Sequence, residues 1–523
     1  MDEESASAPT PPSDKADVGA WLGVAAGAIG SLMATLDISI VNASLPTIQG
    51  EIGASSSEGT WIATAYLVAE IIIIPLTGWL ERVFGLRRFL LIAAILFTGF
   101  SVMCGLSTSL TMMIFGRVGQ GFTAGAMIPT ALTIIATRLP PNQQPIGTAL
   151  FGLTVIMGPV MGPLVGGWLT ENFSWHYAFF VNVPISAILI TLLLVGLPKS
   201  KMQLGELVNA DWLGVIGLVL GLGGITVVLE EGHREQWFES VLIWQLSAIT
   251  LLGFVLIAAG QFTAKRPVIK LALLRNRAFA AVFTLALVLG AVMFGTAYVI
   301  PQFLAAVADY NAMQAGKIVF ISGIPAMLMM PMFPILVARV DLRLIVGTGI
   351  MLLALSCYLD VNLTAQSRGG DFVVTQLLRG LGTVFCMLFL NQAAISSVPV
   401  TDAGDAAGLF NAGRNLGGSI GLALLATLQD ERWEFHRWTI HSALGANDLN
   451  LQDWVGQQAM TYGGGPEGMA IALRSLDGMV LRDALVMAFN DDFMALTVGI
   501  LLVAPLVFLL RPLPKGYHAK AAH

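Results

Sequence analysis

Charged residues inside apolar stretches are the residues of this sequence best suited to chemistry. Asp37 and Glu70 each lie in a long apolar run, and Arg117 lies in a third. Burial favours the neutral form of a carboxyl group and a nearby arginine favours its charged form, so such a group can take up and release a proton. We therefore expect Asp37, Glu70 and Arg117 to couple a proton to the work of the molecule. A structural role, such as bonding a neighbouring helix, remains open for either carboxylate.

Two further arginines, Arg379 and Arg414, also interrupt apolar runs. An arginine at the centre of a membrane span costs about 2.5–3.5 kcal/mol on insertion scales, so it usually faces a cavity or a partner. We expect these two to pair across a cavity with Asp37 or Glu70, or with backbone carbonyl groups. In their own half of the sequence, the one in-span acid expected near them is Asp360.

These residues belong to a chain whose composition is typical of a membrane protein. Of 523 residues, 56% are hydrophobic and only 11% are charged. A spanning helix needs about 20 mainly apolar residues. This rule predicts fourteen spans, at 20–43, 59–80, 88–106, 110–135, 146–169, 177–197, 211–230, 240–260, 279–304, 314–338, 342–361, 371–397, 405–428 and 485–510. The predicted fold class is an all-α polytopic membrane protein.

The spans fall into two groups of six separated by two additional spans. The predicted division is a disordered cytoplasmic tail at 1–19, a first six-helix bundle at 20–199, two linker spans with cytoplasmic loops at 200–275, a second six-helix bundle at 276–510 with a long periplasmic loop at 429–484, and a cytoplasmic tail at 511–523. Two groups of equal size predict a fold built from two structural repeats, with a site between them near the middle of the membrane.

The basic residues predict the orientation of the chain. With a cytoplasmic start, the inner loops carry seventeen Lys and Arg residues and the outer loops seven, four of which belong to one long loop. The positive-inside rule therefore places both termini in the cytoplasm. The three cysteines all lie in apolar spans and the six histidines in loops or tails, so no disulfide, metal site or cofactor is predicted.

Four segments carry a resemblance to a known family. They are LDISIVNASLPTI at Leu36–Ile48, GWLERVFGLRR at Gly78–Arg88, GRVGQGFTAGAMIP at Gly116–Pro129 and VIMGPVMGPLVGGWL at Val155–Leu169. In this order and spacing they resemble the signature motifs of the fourteen-span, EmrB-type drug:proton antiporters of the major facilitator superfamily. The resemblance extends from about residue 20 to the C-terminus and implies the major facilitator fold.

The loop between spans 2 and 3 is a candidate gate. It combines glycines that allow a tight turn with charges that could form a network at the cytoplasmic face: Gly78, Glu81, Arg82, Gly85, Arg87 and Arg88. Simple anchoring by the positive-inside rule is the alternative.

Arg117, expected near the cytoplasmic end of span 4, belongs by resemblance to the motif linked with proton transfer.

Span 5 carries a run of glycines and prolines. Glycines four apart share one helix face, which lets another helix approach closely, and the prolines bend the helix. The resemblance implies that this run is the antiporter motif, a hinge-like seal made of Gly158, Pro159, Gly162, Pro163, Gly166 and Gly167. A tight helix contact without further function is the alternative.

Polar, aromatic and Met side chains in the spans are candidates for lining the substrate cavity, because they can repack around differently shaped ligands. The candidates are Asn42, Gln120, Met157, Phe294, Tyr298, Asn391, Arg379 and Arg414. For each side chain, ordinary packing or a contact with lipid is the alternative.

The resemblance implies a proton-driven antiporter that exports hydrophobic or amphipathic drugs across the bacterial inner membrane by alternating access. It also implies a periplasmic membrane-fusion adaptor and an outer-membrane channel as partners, with no nucleic acid and no cofactor. An exporter of a specific metabolite or fatty acid, or an importer or facilitator of the same fold, remains the alternative. An enzyme is not expected, since the long loop carries no recognisable triad or metal spacing.

Overall fold

The computed structural model describes residues 16–200, 202–203, 205–208, 210–264, 267–444 and 449–511. Most of both predicted tails lies outside these residues, as do Lys201, Lys265 and Arg266 of the predicted inner loops. Within the described part of the chain, thirteen helical segments are long and apolar enough to cross a membrane. The predicted thirteenth span lies in a further helix of 41 residues that is more polar. Together these segments confirm an all-α membrane fold of about fourteen spans.

The first group of helices follows the predicted first bundle. Its members are α1 (Val18–Ile52), α2 (Ser56–Gly59), α3 (Trp61–Phe84), α4 (Leu86–Gly105), α5 (Leu110–Arg138), α6 (Gln144–Asn172), α7 (Tyr177–Phe180) and α8 (Asn182–Gly196). The Asp17 side chain caps α1 by accepting from the Ala20 amide, and Gly53 ends the helix in the left-handed conformation. The α1 helix packs against α5, α6 and α8, and α3 packs against α5.

The two linker spans form a hairpin beside both groups. Its helices are α9 (Gly205–Val208), α10 (Trp212–Leu218), α11 (Gly224–Gly232) and α12 (Val241–Thr263), with a π-helical turn at Val219–Gly223 joining α10 to α11. A Cβ atom on Gly253 would lie 2.1 Å from the Gly221 nitrogen, so glycine is required where the two spans cross. The α11 helix packs against both α3 and α19, which belong to different groups.

The second group contains the remaining helices. They are α13 (Arg277–Ala306), α14 (Ala312–Phe320), α15 (Gly323–Met329), α16 (Phe333–Arg339), α17 (Leu342–Leu359), α18 (Phe372–Ser396), α19 (Ala403–Ala443), α20 (Leu449–Thr461) and α21 (Gly465–Val503). The predicted tenth span is divided into α14, α15 and α16, since Pro325, Pro331 and Pro334 interrupt its backbone hydrogen bonds.

The segment expected to be a long polar loop, 429–484, is largely helical. The α19 helix continues to Ala443, α20 follows, and α21 begins at Gly465, well before the last predicted span. Val455, Ala459 and Ala472 form a small apolar core between α20 and α21. The polar composition of this segment reflects its exposed faces, and the few apolar residues at helical spacing hold it together.

The two groups meet through equivalent helices. The α19 helix packs against α3 and α5 of the first group, and α6 packs against α14, α15, α16 and α18 of the second. This reciprocal contact matches the predicted relation between two repeats. Residues on α3, α6, α18 and α19 therefore lie where a transport site is expected.

Candidate functional site

Asp37 lies in a buried polar network inside the first group. It accepts hydrogen bonds from Arg117 Nη1 at 2.5 Å, from Gln120 at 3.0 Å and from Asn182 at 2.7 Å. Arg117 also donates from Nε to the Ile62 carbonyl at 3.0 Å. The side chains of Asp37 and Arg117 are both fully buried. The structure thus joins three helices of one group, α1, α5 and α8, through a single carboxylate.

Further contacts complete this network. The Gln120 amide donates to Ser101 at 2.8 Å, and the Arg117 guanidinium lies 4.2 Å from the centre of the Tyr66 ring. Tyr66 in turn donates to the Ala34 carbonyl at 3.2 Å. A buried ion pair whose polar atoms are nearly all bonded is rigid, because breaking it would leave a charge without a partner. This property suits a structural pair better than a group that exchanges protons.

The expected position of Arg117 near the cytoplasmic end of span 4 conflicts with the orientation that the basic residues predict. Arg117 lies in the second turn of α5 and bonds Ile62, the second residue of α3, whereas Arg82 lies near the opposite end of α3. Ile62 and Arg82 are about 30 Å apart along that helix. If the Arg82 end faces the cytoplasm, Arg117 lies in the outer half of the membrane.

Glu70 faces the other group. Its carboxyl group, 2% exposed on α3, interacts with the side-chain amide of Asn415 and electrostatically with Arg414 and Arg117. Asn415 and Arg414 belong to α19, so this contact crosses the boundary between the two groups. Glu70 therefore differs from Asp37, whose hydrogen bonds all stay within the first group.

The two other in-span arginines have different partners. Arg379 pairs within its own group with Asp360, at 2.6 Å. Arg414 bonds the Asn415 oxygen at 3.2 Å, and no described acid lies within salt-bridge distance of it. Arg379 therefore does not pair across the boundary, and Arg414 interacts with Glu70 electrostatically without forming a salt bridge.

A charge cluster joins the two groups at the other end of α3. Arg82 bonds Asp405 at 3.2 Å, and Lys270 bonds Asp405 at 3.0 Å and Asp402 at 2.6 Å. Burial alone would lower the pKa of the Lys270 amine, but the hydrogen bonds and charges of Asp402 and Asp405 raise its pKa above the usual value. Glu81 lies close enough to Asp405 and Arg82 to interact with both. We call Arg82, Lys270, Asp402 and Asp405 the α3–α19 charge cluster.

The rest of the predicted gate surrounds this cluster. A Cβ atom on Gly78 would lie 2.6 Å from Asp405 Oδ1, and Gly85 has a φ of +77°, so both positions require glycine. Arg87 donates to the Leu197 carbonyl at 3.1 Å, and Arg88 is exposed. Gly78, Glu81 and Arg82 therefore lie next to Asp405 of α19, and Gly85 forms the turn. Arg87 and Arg88 do neither.

The glycines of α6 pack against α1. Cβ atoms on Gly158 and Gly162 would lie 2.0 Å from Thr35 Oγ1 and 2.1 Å from Ser39 Cβ, and one on Gly166 would lie 2.8 Å from the Ile40 carbonyl oxygen. Gly167 has no neighbour within 4 Å of such an atom. The predicted close approach of a second helix is present, and that helix is α1.

The prolines of α6 face the second group. Pro159 lines a cavity of about 100 Å³ at the boundary, together with Val155, Val292, Thr296 and Arg379. A Cβ atom on Gly316 of α14 would lie 3.6 Å from Pro163. The cavity is small for a drug-sized molecule, for which pockets of about 300–1,000 Å³ are usual. In this conformation the cavity is therefore too small for a drug-sized molecule.

Most of the predicted cavity residues lie elsewhere. Arg379 lines the cavity, but the other seven do not. Gln120 belongs to the Asp37 network, and Arg414 faces Glu70. Phe294 packs against Gly418, Asn391 bonds the Met387 carbonyl, and Tyr298 lies near Asp492. Met157 is half-buried and Asn42 is exposed.

Several residues of the site were missed in the sequence. Asp405 and Asp492 are in-span acids of the second half, so the expectation that Asp360 stands alone there is wrong. Asp492 is fully buried in α21, and neither of its oxygens has a hydrogen-bond partner among the described residues. The rule that selected Asp37, an acid in an apolar run, would also have found Asp492. No sequence signal distinguishes Asn182 from other asparagines.

Comparison with known proteins gives consistent results. A family model described as Major Facilitator Superfamily matches residues 27–422. The chain is 31% identical over 492 residues to the colistin resistance protein EmrB of Acinetobacter baumannii, covering 94% of this chain and 96% of that protein. It is 30% identical over 493 residues to the multidrug export protein EmrB of Escherichia coli K12, covering 92% and 94%.

A solved structure shares the fold. The proton:xylose symporter XylE, bound to a bromodeoxyglucose, aligns with a TM-score of 0.56 at 14% identity, covering 92% of this chain and 94% of that one. At this identity, the similarity extends to the fold alone.

Proposed function

Because the chain belongs to the major facilitator superfamily and to its EmrB-type multidrug exporters, we propose that it is a proton-driven antiporter that exports hydrophobic or amphipathic compounds. The observation that carries this proposal is the position of Glu70. It is a buried carboxyl group at the contact between α3 and α19, facing Arg414 and Asn415 of the other group. A proton bound there changes the contact between the two halves directly.

The exchange proceeds through the charge on Glu70. When Glu70 is ionised, Arg414 attracts it and holds α3 against α19. A proton on Glu70 removes this attraction, so the halves can separate at the boundary. A hydrophobic cation competes with the proton for the same carboxylate, because protonation removes the negative charge that attracts the cation. Drug and proton therefore bind alternately, which is the condition for antiport.

The α3–α19 charge cluster acts as the inner gate in this scheme. Arg82 and Asp405 join the halves in the conformation described here. Opening toward the cytoplasm requires that this pair separate. The glycine face of α6 keeps α1 close, while Pro159 and Pro163 face the second group, so α6 moves with the first group as one body.

The predicted setting of the protein completes the proposal. We place it in the bacterial inner membrane with both termini in the cytoplasm, because basic residues are concentrated in the inner loops. The helical segment 429–484 then projects on the periplasmic side. This segment is the proposed docking site for a membrane-fusion adaptor that leads to an outer-membrane channel.

The test is proton release on drug binding. Ethidium, a hydrophobic cation, is added to the purified protein in weakly buffered detergent solution, and the released protons are counted with a pH indicator. We expect release from the wild type and none from Glu70→Gln. Release that persists in Glu70→Gln would assign the proton to another group. A wild type that binds ethidium without any release would overturn the antiport proposal itself.

A further inference from the structure

The two linker spans contain a carboxylate that the proposed function does not use. Glu230, near the end of α11, is partly buried and accepts a hydrogen bond from Ser419 of α19 at 2.9 Å. No described cation lies within salt-bridge distance of it. The residue after it behaves differently: Glu231 is 2% exposed and pairs with Arg234 at 2.7 Å and with the Thr64 hydroxyl at 3.2 Å. Glu231 is thus a satisfied ion pair, whereas Glu230 has only a neutral partner.

Glu230 and Glu70 contact the same face of α19. Glu70 interacts with Asn415, and Glu230 bonds Ser419, which lies four residues later. Residues four apart in a helix lie on one face, about 6 Å apart along the axis. The α19 side chains next to the two carboxyl groups therefore lie about one helical turn apart.

A partly exposed ion pair follows Glu230 toward the end of α11. One turn after it, His233 pairs with Asp430 of α19 at 3.1 Å, and the Asp430 side chain is 66% exposed. Asp430 lies fifteen residues after Asn415, and Asp405 of the inner gate lies ten residues before Asn415. The order along α19 is therefore inner gate, Glu70 contact, Glu230 contact and exposed Asp430.

The charged groups around Glu230 are consistent with a proton-carrying role. On its own helix, Glu231 is the charged neighbour, already neutralised by Arg234. Of the helices packed against α11, α3 carries Glu70, α19 carries Arg414 and Asp430, and α12 has no titratable side chain. Proton transfer from Glu230 to Glu70 moves one negative charge from one carboxyl group to the other. The net charge of the buried region does not change, and no other reactant is needed.

We propose that Glu230 of the linker span α11 is a relay residue that delivers protons from the outer solution to Glu70. The linker spans then have a role in transport: they hold a proton-binding group against α19, outside the boundary through which the substrate passes. This inference rests on the proposed function, because it assigns a path to the proton that Glu70 binds. It concerns the rate of proton delivery, and it predicts no change in the number of protons exchanged.

The test compares Glu230→Gln with the adjacent variant Glu231→Gln in proteoliposomes that contain a trapped pH dye. Proton uptake driven by an outward ethidium gradient is followed at several external pH values. We expect Glu230→Gln to slow uptake at least about tenfold and to flatten its dependence on external pH. Ethidium affinity and the protons released per ethidium in detergent should stay at wild-type values. Glu231→Gln should transport at nearly the wild-type rate with a lower melting temperature.

Three results would overturn the relay. Glu230→Gln could transport like the wild type at every external pH, in which case the carboxylate is dispensable. Both variants could lose rate and melting temperature together, which would indicate a structural role for the pair. A wild type without ethidium-driven proton uptake would overturn the relay together with the proposed function, whereas the first two results leave Glu70 and antiport intact.

Discussion

At the scale of single residues, the two candidate carboxylates have opposite surroundings. Asp37 accepts three hydrogen bonds from donors that include a fully buried arginine. Glu70 faces an amide and an arginine that belong to the other half. A group that must change its charge during a cycle is poorly suited to a direct ion pair with a buried cation, because breaking such a pair is costly, and only Asp37 forms a pair of this kind. The contacts therefore favour a structural role for Asp37 and support the coupling role that we propose for Glu70.

This assignment predicts different costs for isosteric substitutions. Asp37→Asn leaves Arg117 buried without a counter-charge, so we expect a loss of about 3–5 kcal/mol in unfolding free energy. Glu70→Gln keeps a polar partner for Asn415 and should cost less than about 1.5 kcal/mol. Denaturant titration in mixed micelles measures both.

The control is a second substitution in the destabilised variant. Arg117→Gln combined with Asp37→Asn removes the unpaired charge and should restore part of the loss. Equal costs for the two single variants would contradict the division of roles.

The sequence predicts the charged residues of the site but not the residues that contact them. The apolar context of Asp37, Glu70 and Arg117 identifies them, because a charge in a membrane span is rare and requires an explanation. Their partners are not identifiable in this way. Asn182 and Asn415 are common residue types, and only the fold brings each of them to its carboxylate.

At the scale of helices, the glycines of α6 allow a sharp comparison. A Cβ atom on Gly162 would lie 2.1 Å from Ser39 Cβ and 2.9 Å from its backbone carbonyl carbon, whereas one on Gly167 meets nothing within 4 Å. We expect Gly162→Ala to push α1 away and to cost about 1–3 kcal/mol. Gly167→Ala should be neutral or should stabilise by about 0.5–1 kcal/mol, because alanine favours the helix. Melting temperatures of the purified variants test this, and equal effects at the two positions would argue against the α1–α6 contact.

The inner gate gives a second prediction at this scale. Arg82→Gln removes the ion pair with Asp405, so the end of α3 and the start of α19 should open more often. We expect faster amide hydrogen exchange in the peptides that cover 81–90 and 403–410. The matched control is Arg88→Gln, since Arg88 is exposed and its loss should leave exchange at α19 unchanged. An identical exchange pattern in both variants would show that the pair does not hold the gate.

The sequence predicts the positions of the helices better than the points where a helix is interrupted or extended. Length and apolar composition locate the spans, because a membrane requires every backbone polar group to bond within its own helix. The division of the tenth span depends on how three prolines are accommodated by neighbouring helices. The helical extension at 429–484 was hidden for a different reason: its stability comes from a few contacts such as Val455 with Ala472, which no local pattern identifies.

At the scale of the whole molecule, α19 connects the functional parts. It holds Asp405 of the inner gate, Arg414 and Asn415 opposite Glu70, Ser419 opposite Glu230, and Asp430 at the exposed outer end. A rigid helix that carries all these contacts makes them respond together when one half rotates against the other. In the proposed mechanism, a proton on Glu70 therefore influences the gate at the start of the same helix, ten residues before Asn415.

A single coupling carboxylate also fixes the energetics of the transport cycle. If Glu70 exchanges one proton for one monovalent cation, the cycle moves no net charge and the membrane potential does no work on it. A difference of one pH unit supplies about 1.4 kcal/mol, enough for a tenfold ethidium gradient. For a neutral substrate the proton's charge does move, and a potential of 100 mV adds about 2.3 kcal/mol.

We therefore expect ethidium accumulation in inverted vesicles to follow the pH difference and to be insensitive to a potassium–valinomycin potential. Accumulation of an uncharged substrate should respond to both. The measurement uses one preparation, with nigericin to remove the pH difference and valinomycin to set the potential independently. A strong effect of potential on ethidium would mean that more than one proton crosses per cation. A second carboxylate, of which the unpartnered Asp492 is the first to examine, would then have to titrate in the cycle.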